Sequence, residues 1–185
     1  MNGPQTTLRQ GWGQPPGPRP RIRPPRSSLE RFCVGVTVVG LLALLAITAW
    51  WWPQLPATIP IHFGVNGQPN GYGSKAWILF LPVLLLAMTI AFTALARYPW
   101  IFNYPVVITP ENAEQNYRRG RTLLEVVNAV VAALFAVIQW QTVRLAAGAA
   151  HDLGPAFSPL AIILFVILFP LALIALIAWW VSRSR

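Results

Sequence analysis

Residues 32–52 read FCVGVTVVGLLALLAITAWWW, an uninterrupted uncharged run closed by three tryptophans. A run of this length matches the ~20 residues with which a helix crosses a hydrocarbon core about 30 Å thick. Tryptophan rings settle at headgroup level, so the run ends where a membrane surface should be. It is too long for the apolar part of a cleaved leader and ends in Trp50-Trp51-Trp52-Pro53 instead of small residues. It is therefore expected to stay attached as a helix. Three further runs, Trp77–Ala96, Leu123–Trp140 and Leu160–Val181, repeat the pattern. The expected fold is an all-α integral membrane protein: a four-helix transmembrane bundle with helices at about 32–52, 77–97, 122–143 and 159–181.

Composition agrees with this reading and argues against a soluble globule. Hydrophobic residues make up 55% of the chain and charged ones 10%, with a mean hydropathy of +0.52, which leaves too little polarity to cover a water-facing surface. The net charge of +9 does not point to nucleic acid, because the basic residues sit in the N-terminal tail and at the ends of the apolar runs. Twelve lie before the first run, between the second and third, and after the fourth; only Lys75 and Arg144 fall on the other side. The positive-inside rule then places both termini and the middle loop in the cytoplasm, with the lipid bilayer as the main partner. Cys33 is the sole cysteine, which rules out an internal disulfide and fits a small apolar residue in a helix.

Residues 1–30 carry seven prolines and five arginines among almost no aliphatic residues. Such a composition buries no core and is expected to form a disordered, polyproline-like cytoplasmic tail before a membrane domain at 31–185. Its PGPRPRIRPPR stretch suits either anionic headgroups or an aromatic groove on another domain. Pro82 and Pro170 each remove a backbone donor, and Pro170 should kink the fourth helix.

The third run holds polar residues at helical spacing. Glu125, Asn128 and Gln139 share a face with Ala132 and with Phe135 or Ala136. Intramembrane polar groups turn toward a bundle interior or a water-filled cavity, and they serve either as a functional stripe or as hydrogen-bonding glue between helices. Arg121, four residues before Glu125, offers an ion-pair partner. In the preceding cytoplasmic loop, Thr109-Pro110-Glu111 reads as a helix start with capping side chain, proline at the first position and acid in the first turn. This approach to the membrane could anchor at headgroups or dock a cytoplasmic protein.

The first outer loop, LPATIPIHFGVNGQPNGYGSK over 55–75, is dense in turn chemistry. Thr58–Phe63 alternates like a short strand, and Asn66-Gly67 and Asn70-Gly71 are pairs that tolerate positive φ. The loop is expected to be ordered on the extracytoplasmic face, with a hairpin as one form. His62, Phe63, Asn66, Gly67, Asn70, Gly71, Tyr72 and Lys75 are its candidate ligand-binding residues.

These residues also carry a resemblance. Leu55-Pro56, Ile59-Pro60-Ile61-His62-Phe63 and Asn66 through Lys75, followed by an apolar helix with an early proline, resemble a widespread bacterial membrane domain of unknown function. That domain forms the N-terminal part of SdpI-type immunity proteins. Asn103-Tyr104-Pro105, Ile108 through Glu114, and Tyr117-Arg118 resemble the family's segment between its second and third helices, so that the likeness covers roughly 33–145. It implies a membrane domain that senses or resists a membrane-active peptide, with an extracytoplasmic peptide and a cytoplasmic protein as partners. A small transporter or channel component that uses the polar face of the third helix is the alternative.

No enzyme chemistry emerges from the sequence. His62, His151 and Asp152 fall on the same side of the membrane, yet they lack the HExxH pairing or fixed helical spacing of a zinc site. Ser74 and Ser158 have no nucleophile-elbow context, and no glycine-rich phosphate loop precedes a helix. No catalytic residue, metal or cofactor is expected, and the oligomeric state is open.

Overall fold

The computed structural model describes residues 18–64 and 66–150. The readings made for residues 1–17, for His151, Asp152 and Ser158, and for the fourth helix at 159–181 with Pro170 lie outside the described residues.

Helix α1 runs Ser28–Trp51. It begins four residues before the uncharged run because Ser27 and Glu30 close a capping box: Glu30 N donates to Ser27 Oγ at 3.2 Å and Ser27 N donates to Glu30 Oε2 at 2.8 Å. A 3₁₀ turn at Trp52–Gln54, set by Pro53, ends it. Strands β1 (Thr58–Phe63) and β2 (Pro69–Ser74) follow, and a 3₁₀ segment at Lys75–Leu79 leads into helix α2 (Phe80–Ala96). Pro82 lies in the first turn of α2, and the carbonyl four residues before it, Ile78 O, accepts from Gln139 Nε2 at 2.9 Å instead. Helix α3 spans Ala113–Ala146, nine residues longer at its start than the apolar run predicts.

The helix start read at Thr109-Pro110-Glu111 falls three residues later. Asn112 is the N-cap, and its Oδ1 accepts from Thr109 N at 3.0 Å, which turns the chain before the helix instead of capping inside it. At 1.5 Å per residue α3 is about 51 Å long. It overshoots a ~30 Å core by several turns, enough to hold residues 113–121 clear of the hydrocarbon.

Among the described residues three helices are thus long and apolar enough to cross a membrane, within the segments Ser28–Gln54, Lys75–Ala96 and Ala113–Ala146. Side chains such as Phe32, Val39, Leu42, Val83 and Ile90 face outward and exposed, as hydrocarbon solvent requires and water would not tolerate. Helices α1 and α3 form the main seam, and α2 packs across it through the Leu44, Leu85 and Ala132 cluster. Gly40 lets the seam close: a Cβ there would meet Ala132 Cβ at 3.0 Å. Thr37 and Thr48 donate to the carbonyls of Cys33 and Leu44, at 3.1 and 2.7 Å, so neither hydroxyl is left bare among apolar neighbours.

One end of the bundle carries the hairpin. Strands β1 and β2 pair antiparallel from Thr58↔Ser74 to Phe63↔Pro69, with irregular register on either side of His62. The Asn66-Gly67 pair forms the turn, with Gly67 at φ +76° and Asn66 Oδ1 accepting from Gln68 N at 3.1 Å. Asn70-Gly71, read from sequence as a second turn pair, is instead strand. Glycine is needed at 71 for another reason: a Cβ there would lie 2.9 Å from His62 Cβ. Isolated hairpins are marginal in water. This one rests on a cluster of Leu55, Ile59, Ile78 and Val143, reinforced by Trp51, Trp52 and Ala146.

The other end is closed by the segment 97–112 and by residues 18–27. Tyr104, Ile108, Ala113 and Tyr117 form a small buried core, with Trp100, Phe102 and Val106 packed around it. Burial pushes the Tyr104 phenol well above its ordinary range, and its hydroxyl donates to Pro99 O at 2.9 Å. Residues 18–27 belong to the segment read as tail, yet they lie along this platform as an extended strap. Arg19 donates to the carbonyls of Trp100 and Phe102 at 3.1 and 2.6 Å, Arg23 sits over the rings of Tyr98 and Trp100, and Tyr117 donates to Pro20 O at 3.0 Å. Proline supplies free carbonyls and a stiff extended backbone, so a coreless sequence gains fixed contacts from a partner surface in its own chain.

Candidate functional site

The sequence-predicted residues fall into two groups at opposite ends of the bundle. Around the hairpin, His62 Nδ1 faces Asn70 Oδ1, which requires that nitrogen to carry the hydrogen and locks the two strands side chain to side chain. Tyr72 stands exposed on β2, and Phe63 packs on Leu145. Gly67 and Asn66 shape the turn, with Gly67 buried and Asn66 exposed. Lys75 lies 4.9 Å above the Trp52 ring while its N–H donates to Ala57 O at 2.9 Å. Both contacts pin the base of the hairpin to the end of α1.

Beneath β1 lies an open cleft of about 250 Å³, lined by Ile59, Pro60, Ile61, Phe63, Trp77, Ile78, Phe80, Leu81, Ile138, Gln139 and Thr142. Gln139, read as a member of an intramembrane stripe, thus belongs with the hairpin. Its Nε2 donates to Thr48 Oγ1 at 2.7 Å and to Ile78 O at 2.9 Å, joining α3, α1 and the segment before α2 at one point. Replacing Gln139 with leucine removes both bonds and leaves the Ile78 carbonyl bare. The expected loss is about 1–2 kcal/mol in unfolding free energy, measured by denaturation in micelles.

Glu125 and Asn128 lie about 20 Å away along α3, on the same face toward α1. The ion pair expected between Arg121 and Glu125 does not form. Arg121 turns instead to Glu30, with Nε to Oε1 at 3.0 Å and a second nitrogen to Oε2 at 2.9 Å, and donates also to Pro24 O and Pro25 O at 2.8 and 3.0 Å. Among the described residues Glu125 has only Arg26 as an ion-pair partner, at 3.6 Å. The sequence reading missed Glu30 and Arg26 because both lie in the proline-arginine segment. The available signals were the Ser27-x-x-Glu30 capping pattern and the isolation of Glu30 as the first acid in a basic stretch. Among the described residues no group of three or more His, Cys, Asp and Glu side chains is placed to hold a metal ion.

Apolar spanning helices and a mostly helical fold define an all-α membrane protein. Residues 39–86, from the middle of α1 through the hairpin into α2, match the profile of a domain of unknown function, DUF1648. An uncharacterized protein of Archaeoglobus fulgidus is 36% identical over 78 residues, which cover 35% of this chain and 43% of that protein. The chain thus spans less than half the length of this relative. No solved structure matches it significantly.

Proposed function

We propose that the chain is a non-enzymatic, multi-pass protein of the bacterial plasma membrane, with both termini cytoplasmic, whose hairpin on the outer face recognises a membrane-active peptide and resists or reports it in the manner of SdpI-type immunity proteins. The observation that carries this reading is the hairpin held over a cleft. Ile61, Tyr72 and Trp77 are exposed beside an apolar groove that contains one amide and one hydroxyl. Among the described residues no helix packs on β2 to the extent that α3 packs on β1, so β2 offers an edge to which an extended peptide can add by main-chain pairing. The strap and the segment 97–112 would form the cytoplasmic output, where a protein partner docks.

The test is survival of cells that express the protein under a panel of secreted antimicrobial peptides. Protection is expected, and it should vanish when His62 is changed to alanine or Asn66–Gly71 is replaced, while Glu114→Gln in the exposed Glu114–Arg118 pair should retain it. Equal sensitivity with and without the protein, once its presence in the membrane is verified, removes the peptide reading. A transporter or channel component is the second reading, favoured by the polar atoms of Glu125 and Asn128 that lack hydrogen-bond partners inside the seam. Solute flux abolished by Glu125→Gln, with the hairpin dispensable, would establish it.

A further inference from the structure

Two buried carboxylates lie in the same α1–α3 seam in opposite states of satisfaction. Glu30, fully buried, accepts four hydrogen bonds: Oε1 from Arg121 Nε and Thr122 Oγ1, Oε2 from the second Arg121 nitrogen and Ser27 N. Four is about the number an ionised carboxylate can take. Glu125 is 3% exposed and its Oε1 accepts none; Asn128, 2% exposed and one helical step further on the same face, has an Oδ1 that also accepts none. An acceptor without a donor is costly inside a seam, and two of them at i and i+3 call for a single hydrogen between them.

Among the described residues no other group that faces this spot gives either atom a hydrogen bond. From α3, Arg121 spends its guanidinium on Glu30, Pro24 and Pro25. From the strap, the Arg26 side chain is 41% exposed and stays at 3.6 Å, outside hydrogen-bond distance. From α1 come Glu30 itself, Cys33 and Thr37, whose hydroxyl already donates to Cys33 O. Helix α2 contains no titratable residue.

We propose that Glu125 and Asn128 form a proton-binding site, in which the Glu125 carboxyl takes a hydrogen from cytoplasmic water and donates it to Asn128 Oδ1. A proton needs no cavity, and both acceptor atoms are closed off from solvent. Carboxylate plus proton gives the neutral acid and leaves the Arg26 guanidinium without its counter-ion, free to turn to water on its exposed side. Loss of the proton recreates the carboxylate and draws Arg26 inward. The site therefore links proton occupancy on α3 to the grip of the strap on the bundle, independently of what the hairpin binds.

The test is infrared difference spectroscopy of the full chain in lipid nanodiscs, made tractable by a total of five Asp and Glu residues. At neutral pH a protonated-carboxyl C=O band is expected in the unmodified protein. It should shift in heavy water, disappear in Glu125→Gln, and move in frequency in Asn128→Ala, which removes the acceptor and not the acid. Carbon-13 labelling of glutamate gives the same assignment without any substitution. Absence of the band at neutral pH would overturn the proposal, since it would mean an ionised Glu125 satisfied by a water or by an Asn128 amide turned over. So would a band that persists in Glu125→Gln or that does not follow the glutamate label.

Discussion

Replacing Glu30 with alanine is expected to lower the unfolding free energy by about 3–5 kcal/mol, the largest loss foreseen for a single change in this chain. Arg121 and Glu30 are 7% and 0% exposed and share two hydrogen bonds, so removing the carboxylate leaves a buried guanidinium with only the carbonyls of Pro24 and Pro25. The same change deletes the N3 member of the α1 capping box and the acceptor for Thr122. Denaturation in mild micelles, followed by loss of helical circular dichroism, measures the effect. A second readout is trypsin cleavage after Arg26, which should quicken once the strap no longer shares Arg121. Changing both Glu30 and Arg121 to methionine should recover most of the loss, because an apolar pair of similar volume removes the uncompensated charge. A loss below about 1 kcal/mol in Glu30→Ala would show that the pair behaves like a solvent-exposed one.

That pair also marks where the sequence could be read and where it could not. The spanning segments were legible because hydrocarbon imposes a length and a composition on any helix that crosses it, and the apolar runs at 32–52 and 77–96 satisfy both. Turn chemistry at Asn66-Gly67 was legible for a similar reason, since few residue pairs accept positive φ. Asn70-Gly71 carries the same letters for a different purpose: there the glycine clears space for His62 across the ladder, and only register reveals it. The overshoot of α3 was hidden because residues 113–121 are polar and hydropathy sees only the hydrocarbon part of a helix. The strap was hidden more deeply. A proline-arginine segment with no core of its own looks the same whether it is free or laid against tyrosine rings, and the deciding surface lies some eighty to a hundred residues away in sequence. Long-range pairing likewise redirected Arg121 from its helical neighbour Glu125 to Glu30. Bidentate geometry and two spare carbonyls outweigh an i, i+4 contact of a few tenths of a kcal/mol.

Replacing Gly40 with leucine is expected to cost about 1–3 kcal/mol and to separate the two helices that form the main seam. Even the first atom of the new side chain has nowhere to go: it would stand 3.0 Å from Ala132 Cβ and 3.2 Å from that residue's carbonyl carbon and oxygen. A flexible side chain could rotate aside, but a backbone carbonyl inside α3 cannot, so α1 must shift bodily. The shift would open the Leu44, Leu85 and Ala132 cluster beside it and loosen the Gln139 bond to Thr48 further along α1, since both depend on the same interhelical distance. Gly35, one and a half turns earlier on α1, provides the contrast, for a Cβ there would meet nothing within 4 Å among the described residues. Gly35→Leu should therefore be neutral or slightly stabilising, as expected when a helix-interior glycine gains a side chain without a clash. Thermal unfolding of the two variants side by side in the same micelles separates a packing effect from a general effect of added bulk in α1. Similar losses in both would mean that the α1–α3 approach at Gly40 does not set the stability of the bundle. A loss confined to Gly40→Leu, matched by weaker protection of the Gln139 side-chain amide against hydrogen exchange, would tie the close helix contact to the polar junction that carries the hairpin cleft.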